Sequence, residues 1–221
     1  MVVSQLEPRL KAVTSFIVGE VLLDIGSDHA LVPKCVLESG QVKRVIAVEK
    51  TLAPFERSKR ALRGYEAEVR LGDGLSVVNS GEADVLSMSG MGVQTILNIL
   101  NAHPKRLPPK LVLQANDDPE KLRAWAFQNG YHLEDEAIAA GFWRYVVLSL
   151  EQAPLPDPAY DVWQDKLELA MRYGPHLLLK RHPLLREELL HQHTVYTRLA
   201  RQGAPLSAHL VMIEQALTYY A

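Results

Sequence analysis

Short apolar runs alternate with helical stretches over the first 150 residues, and this alternation constrains the fold more than any other feature of the sequence. Five runs have the composition of buried strands: 21–26, 45–49, 68–71, 83–88 and 111–114. A helix over 4–18 is predicted before the first run, and helical stretches separate the later ones. Parallel strands need long crossover connections, so this order predicts a parallel sheet.

The sixth and seventh apolar runs, 131–139 and 143–150, are separated only by a short connection at Gly141. A connection without a helix predicts an antiparallel hairpin at one edge of the sheet. An α/β chain with five parallel strands and such a terminal hairpin is typical of the Rossmann-like sheet of class I methyltransferases. A plain dinucleotide-binding fold would continue with further helices.

The chain changes character after residue 152. Prolines at 154, 156 and 158 indicate a stiff linker, and helices are predicted over 160–173, over 184–202 and from Ser207 to about Tyr220. Apolar residues in the last two helices recur every three or four positions, which favours an antiparallel helical hairpin with a coiled-coil-like seam, turning at 203–205. We therefore divide the chain into an α/β domain, 1–152, and a helical domain, 153–221.

Composition excludes several classes of protein. No apolar run approaches the roughly 18 residues of a membrane span, and the N-terminus lacks a basic region followed by an apolar one, so a cytoplasmic protein is expected. Cys35 is the only cysteine, which excludes intramolecular disulfides and cysteine zinc clusters, and no other metal-ligand spacing is present. The net charge of −2 is unlike that of most nucleic-acid binders, yet residues 172–201 hold six Lys or Arg against two acids.

The end of the first predicted strand carries a candidate cofactor loop, Asp24-Ile-Gly-Ser-Asp-His29. A glycine at this point lets the backbone approach a ligand, and ligands of parallel sheets bind at the carboxyl ends of the strands. Asp28 would repel a pyrophosphate, which argues against NAD and favours a cationic cofactor such as S-adenosylmethionine. An ordinary strand-to-helix turn is the alternative.

The next three strands end in groups that suit a nucleoside. Glu49 can accept both hydroxyl hydrogens of a ribose, Asp73 within 72–74 can accept from an adenine amino group, and 90–92 can admit a flat base. A solvated acid, a tight turn and a helix start are the respective alternatives. Four such signals in the correct order favour a nucleoside-containing cofactor, with S-adenosylmethionine the best candidate.

Polar groups for an acceptor are fewer. The amides of Gln114 and Asn116 follow the fifth strand and can bind the edge of a base, although Asn116 can instead cap the next helix. His29 can donate to a substrate, orient Asp28 or serve the structure alone. No grouping of Ser, His and Asp suggests nucleophilic catalysis.

These motifs resemble the bacterial tRNA (adenine(22)-N1)-methyltransferase family. The most specific match is Asp-Ile-Gly-Ser-Asp-His-Ala at 24–30 combined with Gly-Met-Gly at 90–92. Further matching segments are 9–10, Pro33, 46–49, 72–75, 113–116, 122–125, 129–131 and 173–178. The resemblance implies S-adenosylmethionine as methyl donor, tRNA as partner, and a C-terminal helical extension that helps to hold the tRNA.

The strand-end positions and the resemblance together give three sets of candidate residues. Asp28, His29 and Asn116 are the catalytic candidates, with Asp28 either facing the charge that develops on the adenine or contacting the methionine end of the cofactor. The cofactor-binding candidates are Asp24, Gly26, Ser27, Asp28, Glu49, Gly72, Asp73, Gly74, Gly90 and Met91. The substrate-binding candidates are Arg9, Gly92, Gln114, Asn116, Arg172, Lys180, Arg181 and Arg186.

The sequence departs from the family pattern at three positions: Leu31 replaces a common Tyr, Val93 a common Gly and Ala115 a common Pro. Two other functions stay open at this point. One is a class I methyltransferase acting on a small molecule or a protein, and the other is a cofactor-binding scaffold without catalysis whose helical hairpin pairs with a protein. We expect a monomer, with dimerisation through the C-terminal helices as the alternative.

Overall fold

A computed structural model describes residues 6–142, 144–202 and 208–221. Its seven-stranded sheet has the order β3-β2-β1-β4-β5-β7-β6. The strands are β1 (Val21–Ile25), β2 (Arg44–Glu49), β3 (Ala67–Leu71), β4 (Val85–Met91), β5 (Lys110–Ala115), β6 (Tyr131–Ala140) and β7 (Arg144–Gln152). Strands β1 to β5 are parallel, and β7 runs antiparallel to both β5 and β6. The predicted sheet with its terminal hairpin is confirmed.

Helices cover both faces of the sheet. They are α1 (Pro8–Ser15), α2 (Leu31–Glu38), α3 (Leu52–Ala61), α4 (Val93–Ala102) and α5 (Pro119–Gln128). The first helix is shorter than the predicted 4–18. Pro8 stands in its first turn, where a missing N–H costs nothing, and the helix ends before Phe16. Residues 1–5 lie outside the described part of the chain.

The prediction of one helix over 160–173 is wrong. A 3₁₀ helix occupies Pro158–Lys166, and α6 (Leu167–Tyr173) follows it. Tyr160 and Trp163 are both buried and lie three residues apart, a spacing that a 3₁₀ helix places on one side. Asp157 fixes the start, since its carboxylate accepts from the N–H groups of Ala159 and Leu133 at 2.9 Å each.

Three further helices complete the chain: α7 (Pro175–Leu179), α8 (Pro183–Arg201) and α9 (Ala208–Leu217), the last followed by a 3₁₀ turn at Thr218–Tyr220. Helices α8 and α9 pack antiparallel. The hydroxyl of Tyr220, which follows α9, donates to the carbonyl of His182 at the start of α8. Tyr196 stacks on His209 near the connection, with 5.8 Å between ring centroids. The predicted turn at 203–205 lies outside the described residues.

Two hydrophobic cores lie on opposite faces of the sheet. One packs α1 and α2 against the sheet through residues such as Val13 and Val112. The other joins Leu113 and Leu148 of the sheet to Trp163, Leu177 and Ile213 of the C-terminal helices. The helical extension is thus packed on the sheet through a continuous apolar core, beyond its covalent connection.

A buried ion pair joins the extension to the sheet. Arg123 of α5 and Glu136 of β6 have fully buried side chains, with Nε 2.5 Å from Oε1. The Arg123 Nη1 donates to the carbonyl of Met171 (2.9 Å), and the N–H of His176 donates to Glu136 Oε2 (3.2 Å). Gly174 lies between these contacts with φ +92°, and a Cβ there would stand 2.6 Å from Glu136 Oε2. The pair therefore fixes the junction of α6 and α7.

No helix within the described ranges has the length and apolar character needed to cross a membrane.

Candidate active site

Two cavities adjoin at the carboxyl ends of β1 to β4. The larger, about 640 Å³, includes Gly26, Glu49, Gly72, Asp73, Gly74 and Met91 in its lining. The smaller, about 310 Å³, is lined by Arg9, Asp24, Gly26, Ser27, Asp28, His29, Leu31 and Gly90, among others. The fold thus brings all ten cofactor candidates to the rims of two neighbouring cavities.

Gly26 belongs to both cavities. Its φ is +77°, and a Cβ at this position would overlap the terminal methyl of Met91. The Met91 side chain therefore lies directly against the Gly26 backbone, at the point where the cavities meet. Any side chain on Gly26 would be strained by the backbone and would collide with Met91.

Glu49, at the end of β2, is buried and tied to the loop after β1. Its Oε1 accepts from the N–H of Asp28 (2.6 Å) and from the hydroxyl of Ser58 (2.9 Å). No described residue donates to its Oε2. One carboxylate oxygen thus orders the loop, and the other is available to a ligand in the larger cavity. No sequence pattern pointed to Ser58, which is a buried polar residue inside α3.

Asp73 lies at the outer rim of the larger cavity. Its Oδ2 is 2.8 Å from Nζ of Lys50, and both side chains are largely exposed. A carboxylate held this way can accept a hydrogen bond from an amino group while Lys50 offsets part of its charge. Lys50 itself lines the cavity and was not among the predicted site residues.

Asp24 is the buried carboxyl of the smaller cavity. The hydroxyl of Ser27 donates to its Oδ2 at 2.5 Å, and the hydroxyl of Ser87 donates to its Oδ1. Burial raises the pKa of Asp24 to about 6. Ser87 is the residue opposite Asp24 in the β1–β4 register, so only the strand pairing reveals it.

Asp28 has an exposed carboxylate with a positively charged partner. Arg57 of α3 donates to its Oδ1 through Nε (3.1 Å) and through Nη2. His29 Nε2 lies 3.6 Å from the other oxygen. The structure therefore places Asp28 and His29 together at the smaller cavity, with Arg57 partly neutralising the proposed catalytic carboxylate. Arg57 lies in α3 and was not among the predicted site residues.

Gln114 and Asn116 hold the loop after β4. Gln114 is fully buried, and its Oε1 accepts from the N–H of Gly90 (2.9 Å) and from Arg9 Nη1 (3.1 Å). The Asn116 Nδ2 donates to the carbonyl of Gly90 at 2.9 Å. Asn116 does not cap the following helix, whose N-cap position is Asp118. The two amides therefore position Gly90 and Arg9 at the smaller cavity.

Tyr145 and Asp117 complete this side and were missed by sequence reasoning. The guanidinium carbon of Arg9 lies 5.6 Å from the centroid of the Tyr145 ring, a cation–π distance. Asp117 Oδ1 accepts from the N–H of Val93 at 2.6 Å, at the start of α4 that follows Gly92. Neither role is visible in a strand or loop pattern, since each depends on an element distant in sequence.

The three departures from the family pattern occupy different settings. Leu31 lines the smaller cavity with an aliphatic side chain at the start of α2. Val93 and Ala115 are buried, Val93 at the start of α4 and Ala115 at the end of β5. Only Leu31 therefore lies where a bound molecule would meet it.

A third cavity, the hairpin groove, extends from Asn116 between the β6–β7 hairpin and the C-terminal helices. Its volume is about 620 Å³, and its lining includes Asn116, Ile138, Phe142, Arg144, Arg172, Leu185 and His191. Arg172 pairs there with Glu120. Among the four basic candidates in the extension, Arg172 is the one that the fold brings beside the strand ends.

The remaining basic candidates lie elsewhere on the extension. Lys180 pairs with Asp135 in the middle of β6, away from the carboxyl ends of the strands. Arg181 and Arg186 are exposed, and Arg186 lies near Tyr220 at the far end of the helical hairpin. Their binding roles stay predictions. Within the described residues no cluster of His, Cys, Asp or Glu could hold a metal ion.

Comparisons with known proteins give one consistent pattern. Residues 6–148 match the family model described as a methyltransferase domain. A tRNA (adenine(22)-N(1))-methyltransferase of Bacillus subtilis (strain 168) is 33% identical over 208 residues, which cover 89% of this chain and 87% of the relative.

Solved structures extend the similarity over nearly the whole chain. A crystal structure of the B. subtilis tRNA methyltransferase for 1-methyladenosine 22 matches with a TM-score of 0.78 and 32% identity, covering 97% of this chain and 95% of that one. A structure from Streptococcus pneumoniae, described as a candidate for the same activity and bound to S-adenosyl-L-methionine, matches with a TM-score of 0.82 and 26% identity, covering 96% and 100%.

Proposed function

The chain belongs to the tRNA (adenine(22)-N1)-methyltransferase family, and on that premise we propose that it transfers a methyl group from S-adenosylmethionine to N1 of adenine 22 in tRNA. The observation that carries the proposal is the pair of cavities that meet at Gly26. The larger has carboxylates suited to a nucleoside, and the smaller has a buried carboxyl suited to a cationic amino acid. A cofactor with both parts fits across the two.

Three acids divide the recognition of the cofactor. Glu49 accepts from the ribose hydroxyls with the oxygen that Asp28 and Ser58 leave open. Asp73 accepts from the adenine amino group. Asp24 faces the ammonium of the methionine part, since a cation beside a buried carboxyl favours its ionised form.

Methyl transfer to N1 of adenine needs little general acid–base catalysis. Bound S-adenosylmethionine supplies a methyl group on a cationic sulfur, and N1 of neutral adenine already carries a free lone pair. No residue has to remove a proton before the attack, so the main task of the chain is orientation, which can contribute roughly 7–11 kcal/mol. Gln114 and Asn116 serve it by fixing Gly90 beside the donor.

The residues around the acceptor base must also accommodate an unpaired adenine and the positive charge that methylation puts on it. N1 lies on the base-pairing edge, so the adenine has to leave its stack before it reacts. Methylation makes the ring cationic, and a carboxylate near it stabilises the charge as it develops. Asp28 takes this role in the proposal, with its strength moderated by Arg57.

The test is methylation of an unmodified tRNA transcript with isotopically labelled S-adenosylmethionine. Nuclease digestion and mass spectrometry should locate one labelled 1-methyladenosine, at position 22. The matched control is the same transcript with guanine at position 22, which should stay unlabelled. A different product, or transfer only to small molecules or proteins, would overturn the proposal.

A further inference from the structure

The hairpin groove starts at the acceptor side of the proposed site and leads away from it. Asn116 lines one end of the groove and also holds Gly90 beside the cavities. Its walls come from the start of α5, the β6–β7 hairpin, and α6 and α8. A substrate strand that places one base beside Gly90 therefore meets this groove with its adjoining residues.

Apolar side chains of Ile138, Val146, Leu177 and Leu185 line the groove beside its charged and polar groups. None of these four residues lines the larger or the smaller cavity. A groove of about 620 Å³ that has these apolar side chains and adjoins a proposed base-binding site suits a second planar base more than it suits a sugar–phosphate chain.

Three ion pairs hold charged groups around the groove, and two further carboxylates in its lining, Asp117 and Glu188, accept from the N–H of Val93 and the side-chain amide of Gln192. Asp118 pairs with Lys121, Glu120 pairs with Arg172, and Arg144 pairs with Glu187. A groove that followed a phosphate backbone would carry an excess of unpaired cations. A lining with four carboxylates and three guanidinium groups again favours a base, with Arg144 and Arg172 able to exchange their carboxylate partners for a phosphate.

The rim also presents groups that recognise bases. Phe142, at the tip of the β6–β7 hairpin, is 86% exposed. Unpaired bases stack on such aromatic rings whatever their identity. His191 and Gln192 of α8 line the groove with ring and amide nitrogens that can bond to base edges.

We propose that the hairpin groove binds an unstacked nucleotide of the tRNA that adjoins the methylated adenine. The inference rests on the proposed function and deepens it. Freeing adenine 22 from its helix disrupts the stacking of its neighbours. The groove receives one of those neighbours, with its base against the apolar side chains of the lining and against Phe142, and so holds the strand open while N1 is in place.

The first experiment fills the groove without disturbing a buried residue. His191→Trp places a large ring from the exposed side of α8 into the groove. Thr194→Trp is the matched control, because Thr194 is exposed on the same helix and does not line the groove. His191→Trp should raise KM for tRNA about tenfold, with kcat and the Kd for S-adenosylmethionine unchanged, and Phe142→Ala should act in the same direction. Thr194→Trp should match the wild type.

Several outcomes would overturn the inference. Wild-type KM in both His191→Trp and Phe142→Ala, equal damage from Thr194→Trp, or loss of kcat alone would each show that no nucleotide occupies the groove. A second measurement uses tRNA with a photoreactive nucleotide next to position 22, and crosslinks should fall on peptides from the β6–β7 hairpin or α8. Crosslinks confined to α9 would contradict the proposal.

The two proposals fail differently. If wild-type protein methylates adenine 22 while the groove variants behave normally, only the groove assignment falls. If the wild type methylates no tRNA, the proposed function falls, and fluorescence anisotropy with the same variants still decides whether tRNA enters the groove.

Discussion

Asp24 combines burial with a proposed role in cofactor binding that needs its charge. Its pKa lies near 6 in the folded protein and near 3.8 when the group is unperturbed. Because the folded value is higher, the neutral carboxyl contributes to the free energy of unfolding below about pH 4. That contribution is lost as the pH rises through about 6. At neutral pH the protein therefore carries a destabilising charge at its cofactor site.

Asp24→Asn should relieve this cost. The variant is expected to be more stable than the wild type by up to about 3 kcal/mol at pH 7.5, with the difference shrinking as the pH falls toward 5. Its affinity for S-adenosylmethionine should fall at least tenfold. Urea unfolding at pH 5, 6 and 7.5, together with calorimetric titration of the cofactor, measures both effects. A stability difference that does not change with pH would contradict the assignment of the titration to Asp24.

At this scale the sequence predicts residues that end strands. Asp24, Glu49 and Asp73 follow apolar runs, so their meeting at one edge of the sheet was predictable from the order of elements alone. Arg57, Ser58, Ser87 and Tyr145 were not predictable, because they reach the site through helix packing or strand pairing between distant parts of the chain.

At the scale of elements, Gly174 determines how α6 turns into α7. Gly174→Ala adds a methyl group at φ +92° and within 2.6 Å of Glu136 Oε2. Backbone strain and the clash with a buried ion pair should together lower the free energy of unfolding by more than about 3 kcal/mol.

Gly64→Ala is the matched control for this change. Gly64 has φ +88° and no neighbouring atom within 4 Å of an added Cβ, so it reports the backbone strain alone, about 1 kcal/mol. Guanidinium unfolding of both variants separates the two contributions. Equal losses would show that the ion pair tolerates the methyl group.

Periodicity predicted most elements well, because strands buried on both faces and amphipathic helices have distinct patterns. It failed over Pro158–Lys166, where the aromatic residues have a helical spacing but the segment is held by Asp157 and by burial of Trp163. The difference between an α-helix and a 3₁₀ helix there depends on tertiary contacts that composition does not contain.

At the scale of the molecule, the extension and the sheet share one core. Deleting residues 153–221 would expose the sides of β6 and α5 against which the extension packs, and would remove Trp163, Leu177 and Ile213 from the shared core. The truncated chain should lose cooperative thermal unfolding and cofactor binding together with tRNA binding. Calorimetry and S-adenosylmethionine titration test this. A truncated chain that melts cooperatively and binds the cofactor normally would show that the α/β part folds alone.

Net charge was the least informative whole-molecule property. The net charge of −2 is a sum over the whole chain. It combines the acids that line the larger and smaller cavities with the basic stretch on the extension, so neither group is apparent from it. Their separation becomes visible only when the fold assigns each group to a surface.

The buried pair between Arg123 and Glu136 also has a consequence for how this chain can change over generations. Losing either partner alone leaves an uncompensated charge in the interior, and replacing Gly174 alone intrudes on both. Apolar side chains of similar volume at both charged positions would be tolerated, yet each route to them passes through an unstable intermediate. Arg123, Glu136 and Gly174 are thus expected to be retained together or replaced together, while residues on the surrounding surfaces change one at a time.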